Sequence, residues 1–191
     1  PPVTVFRPPA ASAPAPVVLI AHGFAGSQQL MQPFALTLAR NGGANVRVEV
    51  IGEGPELEAN VARAAALGVD DIITFRTPAL DVLQRIAAAD VLVVASDYEG
   101  QPMVVAEALA VGTPVIATDH GLIAHRITNH GLGFVYPSGN SRALANIVGS
   151  LPDPASEDYR LLRRNCLDFA QCNSTGAFRA KIRQAMQGRY D

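Results

Sequence analysis

Short apolar runs alternate with amphipathic segments along the chain. Runs that are rich in β-branched residues predict strands buried on both faces of a sheet. They lie at residues 17–21, 46–51, 72–75, 91–95, 115–117 and 134–136. Apolar positions at helical spacing between these runs predict helices over residues 30–40, 56–67, 80–89, 103–111 and 142–150. A last amphipathic segment, from residue 157 to about 187, predicts one or two helices packed on the edge or bottom of the sheet.

Strands that alternate with single helices are typical of the α/β class, with a doubly wound parallel sheet and right-handed crossovers. We therefore predict one Rossmann-like domain over residues 17–191, with about six parallel strands. Residues 1–16 are rich in proline and alanine, which predicts an extended tail rather than part of the fold.

Composition and charge exclude several classes of protein. With 49% hydrophobic and 17% charged residues, the 191-residue chain can bury a substantial core. A net charge of -2 gives no electrostatic reason to expect nucleic acid as a partner. No apolar run approaches the roughly 20 residues that span a bilayer, so we expect no transmembrane segment. We expect a cytoplasmic protein, with peripheral association with the membrane left open.

The cysteines and most of the histidines do not form a recognisable site. Cys166 and Cys172 lie six positions apart in the predicted C-terminal helix, which does not place them on one face. We expect two reduced, partly buried thiols rather than a disulfide or a metal pair. His120, His125 and His130 recur at a spacing of five, which fits neither one helix face nor a known zinc motif. We therefore expect no metal.

The most informative motif follows the predicted strand at 91–95. Glu99 and Glu107 stand eight positions apart, across a Gly/Pro turn that opens a predicted helix. A buried strand followed by such a turn and a helix presents backbone N–H groups to an anion. A glutamate in the opening turns of that helix can accept hydrogen bonds from a vicinal diol. The arrangement therefore suits a nucleotide sugar.

This segment resembles the donor-binding, C-terminal half of the GT-B glycosyltransferases, in particular the retaining enzymes of glycosyltransferase family four. The hallmark there is a Glu-x7-Glu pair within S-x-Y-E-G-x-P-x-x-x-x-E-A-x-A-x-G-x-P-V-x-A-T, which this chain matches from Ser96 to Thr118. Residues 46–56 resemble the family's strand ending in G-[DE]-G-P-E, and residues 129–140 resemble its N-G-x-x-G-x-L-V-P-x-G-D turn. The resemblance covers residues 44–151 almost continuously.

The resemblance implies a role for each matching residue. Glu99 would be the catalytic-site carboxylate that contacts hydroxyls of the donor sugar, and Glu107 would hold the ribose diol. Backbone amides would face the sugar and the β-phosphate in the segment Gly100, Gln101, Pro102, Met103 and Val104. Phe75 and Arg76, by their position after the predicted strand at 72–75, would flank the nucleobase. The donor would be a UDP-sugar or a GDP-sugar, with no cofactor and no obligatory metal.

Residues 15–42 resemble a different family. A strand followed by His22-Gly23, and A-R-N-G at 39–42, look like the opening of an α/β-hydrolase. A glycosyltransferase would carry an arginine where Phe24 stands and a lysine near Gln28 and Gln29. We interpret the chain as a composite in which a hydrolase-like strand and helix were joined near residue 43, with a divergent donor domain as the alternative.

We therefore predict a nucleotide-diphospho-sugar-binding domain of a retaining glycosyltransferase that transfers a hexosyl group. GT-B catalysis uses a second, N-terminal domain for the acceptor, and we expect this chain to be incomplete for catalysis without that domain or an equivalent subunit. One alternative is a recombined or engineered scaffold without activity. A serine hydrolase is disfavoured, because the chain has no G-x-S-x-G nucleophile elbow. A dinucleotide-binding domain is disfavoured because Gly52 and Gly54 supply only part of G-x-G-x-x-G.

Overall fold

The computed structural model describes residues 17–21, 46–51, 57–76, 81–95, 102–174, 176–177, 179 and 182–183. The six described strands are β1 Val17–Ala21, β2 Arg47–Ile51, β3 Ile73–Arg76, β4 Val91–Val94, β5 Val115–Thr118 and β6 Gly133–Tyr136. The described helices are α1 Leu57–Ala66, α2 Val82–Ala88, α3 Met103–Ala110, α4 Gly121–His130, α5 Ser141–Gly149 and α6 Glu157–Cys172. Every predicted strand is confirmed to within one residue at each end. The predicted helix at 30–40 and the tail at 1–16 lie outside the described residues.

All six strands form one parallel sheet in the order β3-β2-β1-β4-β5-β6. This arrangement confirms the predicted doubly wound α/β fold. Strand β1 lies in the middle, with Val18 opposite Val48 of β2 and opposite Val91 of β4. Strand β1 is therefore flanked by β2 on one side and by β4 on the other. The strand order reverses between β1 and β4, and this reversal is the topological switch point of the sheet.

Apolar side chains on both faces of the sheet explain why its central strands read as unbroken apolar runs. On the front face, Leu92 and Val115 pack under α2, α3, α4 and α6. On the back face, Val93 and Ile116 pack under α1 and α5. These four side chains are completely buried. Burial of such a side chain contributes about 1.5–3 kcal/mol, so strands β4 and β5 form the centre of the core.

Helix α4 has no counterpart among the predicted helices. Its apolar positions Ile123 and Ile127 are one turn apart and buried on the front face. Gly131 ends the helix in the left-handed region, with φ 59° and ψ 44°. His125 and His130 lie on α4 and are exposed, and His120 is the N-cap of the same helix. Among the described residues, no three His, Cys, Asp or Glu side chains are grouped so that they could hold a metal ion.

Helix α6 forms hydrogen bonds with the C-terminal ends of the front-face helices α3 and α4 and with the residue before β4, at the amino edge of the sheet. Near its start, the Tyr159 hydroxyl donates to the Asp90 carbonyl oxygen at 2.8 Å, just before β4. Arg163 donates to the carbonyl of Val111 at 3.3 Å, and Asn165 donates to the carbonyl of Gly131 at 3.1 Å. These carbonyls belong to the C-cap residues of α3 and α4, and helix geometry leaves the last carbonyl groups of a helix without intrahelical partners. Side chains of α6 thus cap both helices.

The two cysteines differ in environment. Both are free, as predicted, but Cys166 is fully buried and Cys172 is exposed, so the expectation of two partly buried thiols was wrong. They lie on α6, whose apolar side faces the core and whose other side faces solvent. Burial raises the pKa of the Cys166 thiol to about 12. Helix α6 ends at Cys172, and none of the described helices is long and apolar enough to cross a bilayer.

Gly133 of β6 lies opposite Val115 of β5. Its φ is +146°, and a Cβ atom built there would lie 1.9 Å from the carbonyl oxygen of Val115. We expect Gly133→Ala to lower the free energy of unfolding by about 3 kcal/mol or more, because backbone atoms must move apart. Gly149→Ala is the control, since nothing lies within 4 Å of its Cβ position. Urea denaturation should show no loss there, and a gain of up to about 1 kcal/mol.

We expect the two thiols to react at very different rates with 5,5′-dithiobis(2-nitrobenzoate) at pH 8. Cys172 should react as an exposed thiol, whereas Cys166 should react only when the protein unfolds, because it is buried and protonated at this pH. Cys172→Ser should remove the fast phase and Cys166→Ala the slow one, as followed by absorbance. Two fast phases in the native protein would contradict the burial of Cys166.

Candidate functional site

The candidate site lies at the carboxyl edge of the sheet, at the switch point between β1 and β4. Ala21 and Val94 are register partners and the last residues of these two strands. Open α/β sheets bind ligands in the crevice outside such strand ends. The segments that follow, residues 22–45 and 96–101, lie outside the described residues. The predicted site residues Glu99, Gly100 and Gln101 belong to the second of them.

Helix α3 begins beside this crevice. Pro102 is its N-cap, with φ −66° and ψ 123°. A proline side chain has no hydrogen-bond acceptor, so it does not cap the helix. The amide of Val105 donates to the Pro102 carbonyl at 3.1 Å, which closes the first turn. The earlier amides of a helix have no intrahelical partner, and the helix dipole adds about half a positive charge there. Burial of Val104 and Val105 fixes this end of α3, whereas the side chain of Met103 is 70% exposed.

Glu107 is the fifth residue of α3, within the opening turns, as predicted. Its side chain is exposed, while the neighbouring Ala108 and Leu109 are buried in the front-face core. No hydrogen bond or ion pair joins the Glu107 carboxylate to another residue in the described part of the chain. The described fold therefore gives this carboxylate no structural partner.

Helix α4, which the apolar pattern did not predict, adds a second N-terminus at the same edge. It follows β5, the neighbour of β4, and its N-cap His120 makes no side-chain capping bond. Asp119 lies just before it, and its carboxylate accepts from the backbone N–H of Ser138 at 3.2 Å. The Nδ1 of His120 lies 3.7 Å from the same Asp119 oxygen. Two helix N-termini therefore open side by side next to the switch point.

Phe75 and Arg76 end β3, which lies three strands away from β4. At about 4.8 Å per strand, this separation is roughly 14 Å. Phe75 is half-buried and packs against the back-face core. The Nε atom of Arg76 lies 2.6 Å from an Oε1 oxygen of Glu49. Arg76 is thus engaged within the fold, although its side chain remains 49% exposed.

Arg76 is part of a four-residue ion-pair network on the front face. Glu49 also pairs with Arg85 of α2, and Arg85 Nη2 lies 2.7 Å from Asp81 Oδ2. Arg85 lowers the pKa of Asp81, mainly through this hydrogen bond, and Asp81 in turn raises the pKa of Arg85. The second oxygen of Asp81 is buried, with no hydrogen-bond partner among the described residues. The feature of the sequence that points to this network is a charged residue, Glu49, inside an otherwise mainly apolar strand.

The comparisons with known proteins agree with this geometry. A family model described as glycosyl transferases group 1 matches residues 17–153, well over half of the chain. The chain belongs to the glycosyl transferases group 1 family. The predicted resemblance to glycosyltransferases is therefore confirmed at the level of the family.

Two curated glycosyltransferases are similar to this group 1 chain over part of their length. The amylovoran biosynthesis glycosyltransferase AmsK of Erwinia amylovora is 31% identical over 124 residues, covering 60% of this chain and 30% of AmsK. The D-inositol 3-phosphate glycosyltransferase of Streptomyces bingchenggensis (strain BCW-1) is 37% identical over 103 residues, covering 53% of this chain and 22% of that protein. The chain thus matches less than a third of each relative.

The solved structures of HepE from Anabaena share the fold. The complex of HepE with UDP matches at a TM-score of 0.72 and 21% identity, covering 90% of this chain and 48% of HepE. The complex with UDP-glucose matches at 0.70 and 23% identity, with the same coverage. The group 1 chain therefore spans about half the length of HepE.

The family match begins at residue 17, so it includes the segment for which we predicted a hydrolase origin. One family thus spans all six strands of the sheet. The composite interpretation stays a prediction, and the His22-Gly23 pair on which it partly rests lies outside the described residues.

We expect Glu49→Gln to lower the free energy of unfolding by about 1–3 kcal/mol, because it leaves two guanidinium groups without their shared carboxylate in a partly buried position. Glu157→Gln is the matched control. Glu157 pairs with Arg160 and Arg164, but its side chain is 66% exposed, so its loss should change stability far less. Urea denaturation of both variants at one salt concentration measures the difference. Equal losses would mean that the Glu49 network is as weak as a surface ion pair.

Proposed function

We propose that this chain is the nucleotide-sugar-binding domain of a retaining glycosyltransferase that transfers a hexosyl group. The observation that carries the proposal is the start of α3. An N-terminus without a side-chain cap and an exposed Glu107 stand within the same opening turns, beside the switch point of the sheet. The first suits a phosphate and the second suits a diol. A nucleoside diphosphate sugar carries both groups.

The diphosphate would lie against the N-termini of α3 and α4. Each contributes about half a positive charge and backbone N–H donors. The backbone amides that would donate to the sugar and the β-phosphate are those of Gly100, Gln101, Met103 and Val104. Proline has no N–H group, so Pro102 itself contributes shape and an extended backbone rather than a donor.

Glu107 would accept hydrogen bonds from both ribose hydroxyls, and Glu99 would bind hydroxyls of the transferred sugar. Phe75 and Arg76 would flank the nucleobase. Each would offer the base a limited contact, because Phe75 is half-buried and the partly exposed guanidinium of Arg76 is held by Glu49. We favour UDP over GDP, because the HepE structures that share this fold contain UDP and UDP-glucose.

The chemistry that this site supports is departure of the nucleoside diphosphate from the anomeric carbon. Negative charge grows on the leaving β-phosphate as the C–O bond breaks and the sugar becomes oxocarbenium-like. Helix N-termini fixed by a buried core stabilise that charge without reorganising, which is the main way in which a preorganised site lowers a barrier. The sequence has Phe24, Gln28 and Gln29 in place of the expected arginine and lysine, so the two helix dipoles would carry this task.

The acceptor would bind to a second unit. Because this chain spans about half of HepE and less than a third of AmsK, we propose that an additional domain or subunit supplies the acceptor site. Transfer would then take place in the cleft between that unit and the carboxyl edge of this sheet.

We expect Glu107→Gln to weaken UDP binding by about tenfold or more, with little change in melting temperature. The substitution keeps the shape but removes the charge, and hydrogen bonds to a charged group contribute about 1.5–3 kcal/mol. Isothermal titration calorimetry with UDP, GDP and ADP at fixed salt measures the affinity and selects the base. Glu157→Gln is the control, because Glu157 lies near the amino edge, close to the contact between Tyr159 and Asp90.

Equal UDP affinity in the wild type and in Glu107→Gln would remove the role of Glu107. No affinity of the wild-type chain for any of the three nucleotides would favour the scaffold without activity over the proposed donor site.

A further inference from the structure

A cavity of about 390 Å³ lies on the front face, between α3, α4 and α6. Its walls are mainly apolar, and they include Val105, Leu109, Ile123, Ile127 and Phe169. The ring of Phe169 also contacts the imidazole ring of His130, at a centroid distance of 4.9 Å. Cavities of roughly 300–1,000 Å³ with apolar walls and a few polar groups are typical of small-molecule sites. The proposed nucleotide site shares only Pro102 with this cavity.

Among the described residues that line this cavity, one side chain is charged. Arg126 lies on α4 and is half-buried. Within the described part of the chain, its guanidinium makes no ion pair and no hydrogen bond. The other polar lining residues, Asn173 and Ser174, are neutral. A guanidinium beside an apolar wall attracts an anion strongly, because water competes less for it there than on an open surface.

We propose that this cavity binds a small amphipathic anion, whose apolar chain fills the space between the three helices and whose carboxylate pairs with Arg126. The shape of the site requires an apolar body, and its charge requires one negative group. A planar guanidinium binds a carboxylate through two parallel hydrogen bonds. Asn173 and Ser174 offer further polar contacts at the end of α6. A medium-chain fatty acid meets these requirements, whereas a neutral alcohol of equal length meets only the first.

The experiment is calorimetric titration of the full chain with decanoate below its micelle concentration, with decanol as the neutral counterpart. Arg126→Gln should weaken decanoate binding by about tenfold and leave decanol binding unchanged. Arg126→Lys keeps the charge and should recover part of the lost affinity. Ala110→Phe should abolish binding of both ligands, because Ala110 lines the cavity and a phenyl ring there would occupy it. Arg142→Gln, on the back-face helix α5, is the matched control and should behave like the wild type.

UDP affinity and melting temperature are measured on the same variants. Unchanged values in Arg126→Gln, together with the loss of decanoate affinity, would support a cavity site that is independent of the nucleotide site. Three results would overturn the proposal: no decanoate binding to the wild type, equal decanoate affinity in the wild type and in Arg126→Gln, or decanoate binding that Ala110→Phe leaves intact.

Discussion

Burial of strands β4 and β5 on both faces is the interaction on which the rest of the structure depends. Leu92 and Val115 face one helical layer while Val93 and Ile116 face the other, and all four are removed from solvent. A parallel sheet requires such coverage, because its crossover helices lie on both sides. Once these strands are fixed, the helices that follow them must start at the carboxyl edge. The position of the candidate site is therefore a result of how the core is packed.

At the carboxyl edge of the sheet, beside the switch point, the starts of two helices supply partial positive charge. The starts of α3 and α4 lie side by side, and neither has a side chain that caps it. The arginines Arg76 and Arg85 are instead held by Glu49, away from the switch point. Backbone dipoles bound to a rigid core keep their orientation, whereas long cationic side chains must be ordered at a cost in entropy. The described part of the domain presents fixed dipoles where a diphosphate would bind.

The sequence predicted the strands well because their signal is local. Each strand is a short apolar run with β-branched residues, and the alternating helices left a doubly wound sheet as the natural arrangement. Helix α4 was missed because its polar residues, among them His125, interrupt the apolar pattern, and because its N-cap His120 is not a common capping residue. The Glu49 network could not be predicted, since it joins β2, β3 and α2 through contacts that only the fold creates. Glu107 was placed correctly on its helix, since the motif fixes it relative to the turn.

Helix α6 gives the front-face layer an asymmetry between its two ends. Arg163 and Asn165 hold the carbonyls at the exits of α3 and α4, while the starts of both helices are left without side-chain caps. The carbonyl at the C-terminal end of each helix is therefore occupied within the fold, whereas no described side chain occupies the donors of its first turn. Burial of Val104 and Val105 holds the start of α3 in place, so its first-turn amides keep one direction whether or not a group is bound.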